Sequence, residues 1–214
     1  PVFTFAGLYF EIFYIWVVSL VVLYAFFKTQ AGELGFFLLF LSSFFFDSFR
    51  FFIPLFNLTQ NYSAALIFIG NFHLGAKFLA PISLLCMVLL SSEQHRQNLE
   101  QNVFIVIALC AFLAHYIPLN TAVMLPTYTV PGSFVRAMRF FLIAIISISV
   151  ISLLLKNFQN EVSQIMTLGF LFLSVGSVII FNCCTLAHLI SAVILLSTGT
   201  FLYLKELHYH YMWR

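Results

Sequence analysis

The sequence predicts an all-α polytopic membrane protein, a bundle of seven transmembrane helices with its N-terminus outside and its C-terminus in the cytoplasm. Three observations lead there. Hydrophobic residues fill 63% and charged residues 7% of the 214 positions, with a mean hydropathy of +1.07, which excludes an ordinary soluble domain. Seven apolar runs approach the ~20 residues needed to cross a hydrocarbon core. The lysines and arginines of the linkers and tail all fall on one side.

The first run, 3–27, is interrupted only by Glu11, and the second, 34–56, is Phe-rich and carries Asp47 and Arg50. The third, 63–91, is long enough to tilt, and Pro81 is expected to kink it. The fourth, fifth and sixth cover 102–118, 132–155 and 162–181. The seventh, 184–205, follows after only Asn182-Cys183-Cys184-Thr185. Residues 1–205 thus form the bundle, and 206–214 extend the last helix into the cytoplasm. The 29 phenylalanines suit lipid-facing and bundle-filling positions. A chain that opens on Pro, with a first run too long for a signal-peptide core, reads as a fragment or a processed product.

The linkers alternate. Residues 28–33, 92–101 and 156–161 hold Lys28, Glu33, Glu93, Arg96, Glu100, Lys156 and Glu161, whereas 57–62 and 119–131 are uncharged. With Lys205 and Arg214 on the same side as the charged linkers, the positive-inside rule sets the orientation, in a plasma (inner) membrane. Arg50, Lys77, Arg136 and Arg139 oppose it if helix ends are counted. Two sequons, Asn57-Leu58-Thr59 and Asn61-Tyr62-Ser63, lie in the first uncharged linker, where chance occurrence outweighs glycan acceptance. Cys86 and Cys110 sit in apolar runs and Cys183 and Cys184 are adjacent, so no metal spacing or disulfide framework emerges. A formal charge of +2 gives no reason to expect nucleic acid as a partner.

The ionisable residues inside the spans are Glu11, Asp47, Arg50, His73, Lys77, His115, Arg136, Arg139 and His188. All fall between the outer surface and mid-bilayer. A charge at the centre of a spanning helix costs roughly 2.5–3.5 kcal/mol even on lenient insertion scales, so this clustering reads as the lining of a polar cavity. Spacing decides which residues share a face. Asp47 and Arg50 are i,i+3; His73 and Lys77 are i,i+4, with Asn71 nearby; Arg136 and Arg139 are i,i+3. Glu11, His115 and His188 reach the same depth from the first, fourth and seventh spans.

Four permanent cations face two carboxylates, and paired guanidiniums suit a carboxylate or phosphate. The sharper expectation is an outward-facing pocket for a small anionic or amphiphilic ligand, anchored by Arg136, Arg139 and Lys77. The competing reading has the arginines snorkelling to lipid headgroups and Asp47–Arg50 as a structural pair. Lys77 is too deep to snorkel. His115 and His188 read as interfacial or satisfied core histidines, while His73 shares a face with Lys77.

Known chemistries fit poorly. A bis-His haem is badly matched in depth, and no converging zinc set or Gly-x-Ser-x-Gly element is present. No catalytic residue, metal or cofactor is expected. The last span lacks the Schiff-base lysine of retinal proteins. The stretch Ser91-Ser92-Glu93-Gln94-His95-Arg96 replaces the acidic-Arg-Tyr triplet of animal heptahelical receptors, and their Asn-Pro-x-x-Tyr is missing as well.

One family resemblance remains. In "HLGAKFLAP" (His73 to Pro81), Gly75 precedes Pro81, and "LISAVILLSTGTFLYLKELHYHYMW" runs unbroken out of the last span. Together with short loops and an outside N-terminus, this resembles the N-terminal seven-transmembrane sensor modules of bacterial histidine kinases and diguanylate cyclases. The resemblance implies a sensory module that signals through its last helix to a C-terminal output domain or partner subunit. It transfers no ligand residue. The apolar inner half argues against a through-pore. The rival readings are a small-molecule transporter or transport subunit, and a structural or assembly subunit whose charges pair with another membrane chain. Membrane lipids are expected neighbours, and a homodimer stays open.

Overall fold

The computed structural model describes residues 2–29, 31–56, 63–90, 98–122, 125, 127–132, 135–159 and 162–212. Both sequon asparagines, together with Glu93, Arg96, Glu161 and Arg214 of the charge count, lie outside these residues. Eight α-helices are described: α1 (Val2–Thr29), α2 (Gly32–Ser48), α3 (Phe52–Leu55), α4 (Ser63–Leu89), α5 (Leu99–Tyr116), α6 (Val135–Phe158), α7 (Gln164–Phe181) and α8 (Leu186–Met212). A 3-10 turn, Phe49–Phe51, joins α2 to α3, so that Gly32–Leu55 acts as one span. Among the described residues, seven helices are therefore long and apolar enough to cross a membrane, the pattern of a helical membrane protein.

The 3-10 turn is a departure from the uninterrupted second helix expected over 34–56. Ser42, Ser43 and Ser48 donate to the carbonyls of Leu39 (2.6 Å), Phe40 (2.6 Å) and Phe44 (2.8 Å). Such back-bonding competes with the backbone ladder and bends helices. Pro81 behaves otherwise: α4 runs through it without a break, although proline has no N–H to give the carbonyl of Lys77. The short linker before the seventh span is where the chain turns, with Thr185 Oγ1 accepting from the amide of His188 at 3.2 Å and so capping α8. The last helix then continues to Met212, as the unbroken exit predicts.

Buried positions fill 67% of the central stretch of α4 and 56% of that of Gly32–Leu55, against 17% in α1, α5 and α6. The second and third spans are therefore the centre, and Phe13, Trp16, Phe104, Phe112, Phe140 and Phe158 lie exposed on the surrounding helices, where a bilayer would solvate them. In α2 an i, i+3, i+7 ladder of Phe37, Phe40 and Phe44 is fully buried. Phe44 stacks on Phe181 of α7 at 5.3 Å, and Phe37 stacks on Tyr203 of α8 at 5.8 Å, so one helix face holds two others.

The tightest helix pair is α7 with α8. A β-carbon on Gly199 would lie 2.9 Å from both the Gly169 carbonyl and the Leu173 amide, and one on Gly169 would lie 2.8 Å from the Tyr203 amide. Small residues let the two backbones touch, which is how helices gain dispersion contact where no hydrophobic force separates protein from lipid. At the opposite end from the N-terminus, Lys156 Nζ donates to the Val88 carbonyl at 2.6 Å. Ser163 there accepts from the Met166 amide (3.1 Å) and donates to Glu206 Oε2 (2.9 Å), closing that end.

Gly199→Leu should lower stability by about 1–3 kcal/mol, because the backbones cannot part without losing contact along the whole pair. Gly32→Ala, where a β-carbon meets nothing within 4 Å, should change it by less than ~0.5 kcal/mol. Helical ellipticity followed through an SDS titration measures both, and equal midpoints would remove the α7–α8 contact as a source of stability.

Candidate functional site

Four ionisable side chains from three spans meet inside the bundle near its N-terminal face. Glu11 of α1, Asp47 of α2, Arg50 of the 3-10 turn and His73 of α4 are each no more than 2% exposed. Asp47 is the hub. One carboxylate oxygen pairs with Arg50 Nη2, and the other accepts from His73 Nδ1. Arg50 also donates from Nε to the Asp47 carbonyl (3.4 Å) and stands 3.7 Å from Glu11 Oε1. With Nδ1 donating to Asp47, His73 presents Nε2 as an acceptor. That nitrogen and both Glu11 oxygens are buried without a hydrogen-bond partner among the described residues.

The i,i+3 spacing of Asp47 and Arg50 does what a helix face predicts, but the 3-10 turn tightens it, bringing the guanidinium back over Asp47. The remaining donor, Arg50 Nη1, goes to the Thr127 carbonyl at 3.1 Å. Thr127 belongs to the α5–α6 connection, which folds over the cluster as a lid. Leu119 and Gly132 form an isolated antiparallel bridge, Asn120 donates to the Pro131 carbonyl at 2.9 Å, and Leu125 to that of Thr129 at 3.0 Å. Leu119 seats against Gly70 of α4, where a β-carbon would come within 2.6 Å. Tyr128 adopts φ 54°, a left-handed conformation rarely used by bulky residues, with its ring 5.2 Å from Phe5 of α1. The connection thus spans from α4 to α1 across the buried charges.

Beside this cluster a cavity of about 480 Å³ opens between α4, α6, α7 and the lid. His73, Lys77 and Arg139 line it, and no carboxylate does among the described residues. Thr127, Thr129, Ser177 and Asn182 add neutral polar groups, and Leu142, Ile146, Val178 and Phe181 are among its apolar walls. The negative charge of Asp47 lies behind His73 and is already engaged by Arg50, so the cavity itself faces a ligand with two cations and an imidazole.

The structure therefore divides the expected site residues. Lys77, Arg139 and His73 share the cavity, while Glu11, Asp47 and Arg50 form the buried cluster behind it. Arg136 and Arg139 are both exposed near the start of α6; Arg139 lines this cavity and Arg136 does not. Asn71 and His115 line a separate, mostly apolar cavity of about 280 Å³ between α2, α4 and α5. His188 is exposed in the first turn of α8. Thr127, Thr129, Ser177 and Asn182 were missed. The lid carried a signal in its length, since long connections without helix or strand of their own are uncommon unless they perform a task. Neither a family model, nor a curated protein, nor a solved structure matches this chain.

Asp47→Asn should destabilise the bundle by about 3–5 kcal/mol, since it removes the closer carboxylate partner of a buried guanidinium and leaves it Glu11 at 3.7 Å. Glu11→Gln, at a carboxylate that accepts no hydrogen bond among the described residues, should cost under ~2 kcal/mol. SDS unfolding of the two variants gives the order, and a larger loss for Glu11→Gln would displace Asp47 as the hub.

Proposed function

We propose that this chain is a membrane sensory or receptor module that binds a small anionic amphiphile in the cavity between α4, α6 and α7. The lining of that cavity carries the reading: apolar walls around His73, Lys77 and Arg139. A carboxylate or phosphate head meets Lys77 and Arg139, each a charge-assisted donor. The tail lies along Leu142, Ile146 and Phe181. With the N-terminus outside, as the linker charges predict, the cavity belongs to the outer half of a plasma (inner) membrane.

Occupancy has a route outward. Ser177 and Phe181 of α7 face the cavity, while Gly169 and Gly176 of the same helix touch the α8 backbone or Leu196. A ligand that pushes α7 moves α8 with it, because close-packed helices shift as units and not as soft springs. Binding would then bias two packings of the bundle and convey the change along α8 to an attached output domain or partner subunit.

One observation favours a transporter instead. The second span changes to a 3-10 turn at the buried cluster, and Pro81 removes the amide partner of the Lys77 carbonyl. Interrupted helices near a polar site are a feature of alternating access. Counterflow uptake in proteoliposomes separates the two readings.

Palmitate should bind the protein in zwitterionic nanodiscs and raise its Tm, and hexadecanol should do so far less. Arg139→Ala should insert normally yet weaken palmitate about ten- to a hundredfold, the loss of one charge-assisted contact. Isothermal titration and the thermal shift measure this. Equal binding of acid and alcohol, or undiminished affinity in the folded variant, would discard the anchor.

A further inference from the structure

A second, independent site lies on the far side of α8. Helices α1 and α8 are tied together where the hydroxyls of Tyr14 and Thr200 share a hydrogen bond. Around and beyond this tie the two helices leave a groove of about 580 Å³. Val17, Val21 and Ala25 of α1 form one wall, and Ser197, Phe201 and Leu204 of α8 the other. At the end away from the N-terminal face, the lining changes to Lys28 from α1 and Lys205 and His208 from α8, all exposed.

Lys205 and His208 are i,i+3, so they point from one face of α8 toward Lys28 across the groove. Among the described residues no acidic side chain lines the groove. Glu206, the nearest carboxylate in sequence, is turned to Ser163 Oγ of the α7 N-terminus at 2.9 Å. A greasy slot with a cationic mouth matches the two ends of one kind of molecule. At 1.5 Å per residue, the distance from Lys28 to Tyr14 is about 21 Å. Half of a hydrocarbon core is roughly 15 Å, so with Lys28 at headgroup depth the slot is long enough for the whole acyl chain of one leaflet.

The geometry points to a site for an anionic phospholipid, with one acyl chain between α1 and α8 and the phosphate between Lys28 and Lys205. Both lysines keep their stems on the apolar wall and their ammonium groups at headgroup depth. His208 supplies a third donor. Because α8 is one wall of the slot, the lipid wedges α1 from α8 and sets how freely α8 moves against the bundle. The site shares no residue with the cavity at Lys77 and Arg139, so each stands or falls alone.

The test uses the full chain in detergent with palmitoyl-oleoyl phosphatidylglycerol, the phosphatidylcholine of identical chains, and glycerol 3-phosphate. Native mass spectrometry should show phosphatidylglycerol retained over phosphatidylcholine. Glycerol 3-phosphate should not displace it, since the chain supplies the hold. Removing both cations in Lys28→Ala/Lys205→Ala should weaken retention about thirtyfold, about fivefold for each lysine near an anionic head. Val21→Trp fills the slot without touching the mouth and should abolish retention of both lipids, while Lys28→Arg/Lys205→Arg should keep it. A photoreactive phosphatidylglycerol should label Phe201 and Tyr24 in the wild type, which needs no variant to fold. Equal retention of the two lipids, displacement by glycerol 3-phosphate, or chain-to-chain cross-links at Val21 in place of lipid labels would overturn the site.

Discussion

Asp47 is buried at the centre of an apolar bundle and is the acceptor for two donors that come from different parts of the chain. Arg50 reaches it from the end of the same span, and His73 reaches it from the neighbouring helix. Both of its oxygens are engaged, and leaving its charge uncompensated there would cost more than any single apolar contact can offset. The pairing therefore dictates geometry well beyond itself. It ties α2 to α4, is tightened by the 3-10 turn that brings the guanidinium back, and leaves one arginine nitrogen in need of an acceptor. The Thr127 carbonyl meets that need, which is why the α5–α6 connection lies over the bundle instead of trailing free.

From this constraint follows the division of labour among the helices. The central spans, Gly32–Leu55 and α4, hold the charges and the aromatic ladder, so their surfaces are committed to packing. The helices around them pack less closely, and two cavities lie at such seams, one between α4, α6 and α7 and one between α1 and α8. The α7–α8 seam is the exception. Backbone contact at Gly169 and Gly199 leaves no room for a guest, so those two helices move as a pair. A cavity on one flank of that pair and a groove on the other place two ligand-sized spaces against one mechanical unit.

The cluster also explains why the cavity is cationic although carboxylates lie close by. Asp47 presents both oxygens inward, to Arg50 and His73, and its charge is spent within the cluster. Lys77, one helical turn further along α4, and Arg139 on α6 face the open space instead. Shielding one sign of charge behind a bound partner while exposing the other is a way for a small bundle to be selective without being net charged.

Composition and apolar run length determined the class, the seven spans and the approximate ends, because a bilayer admits few solutions for a backbone that must satisfy its own hydrogen bonds. The i,i+3 and i,i+4 spacings likewise revealed that Asp47 could meet Arg50 and that His73 and Lys77 share a face. They did not reveal which faces turn inward. A helix with apolar residues all round has no pattern to distinguish a lipid side from a core side, so Arg136, Asn71, His115 and His188 looked equivalent to the residues that actually converge. Helix rotation was decided only in the tertiary structure, by the demand of one buried carboxylate for two donors and by the glycines that let α7 and α8 touch. The lid over Arg50 belongs there too, since a backbone carbonyl carries no trace in the identity of the residue that supplies it.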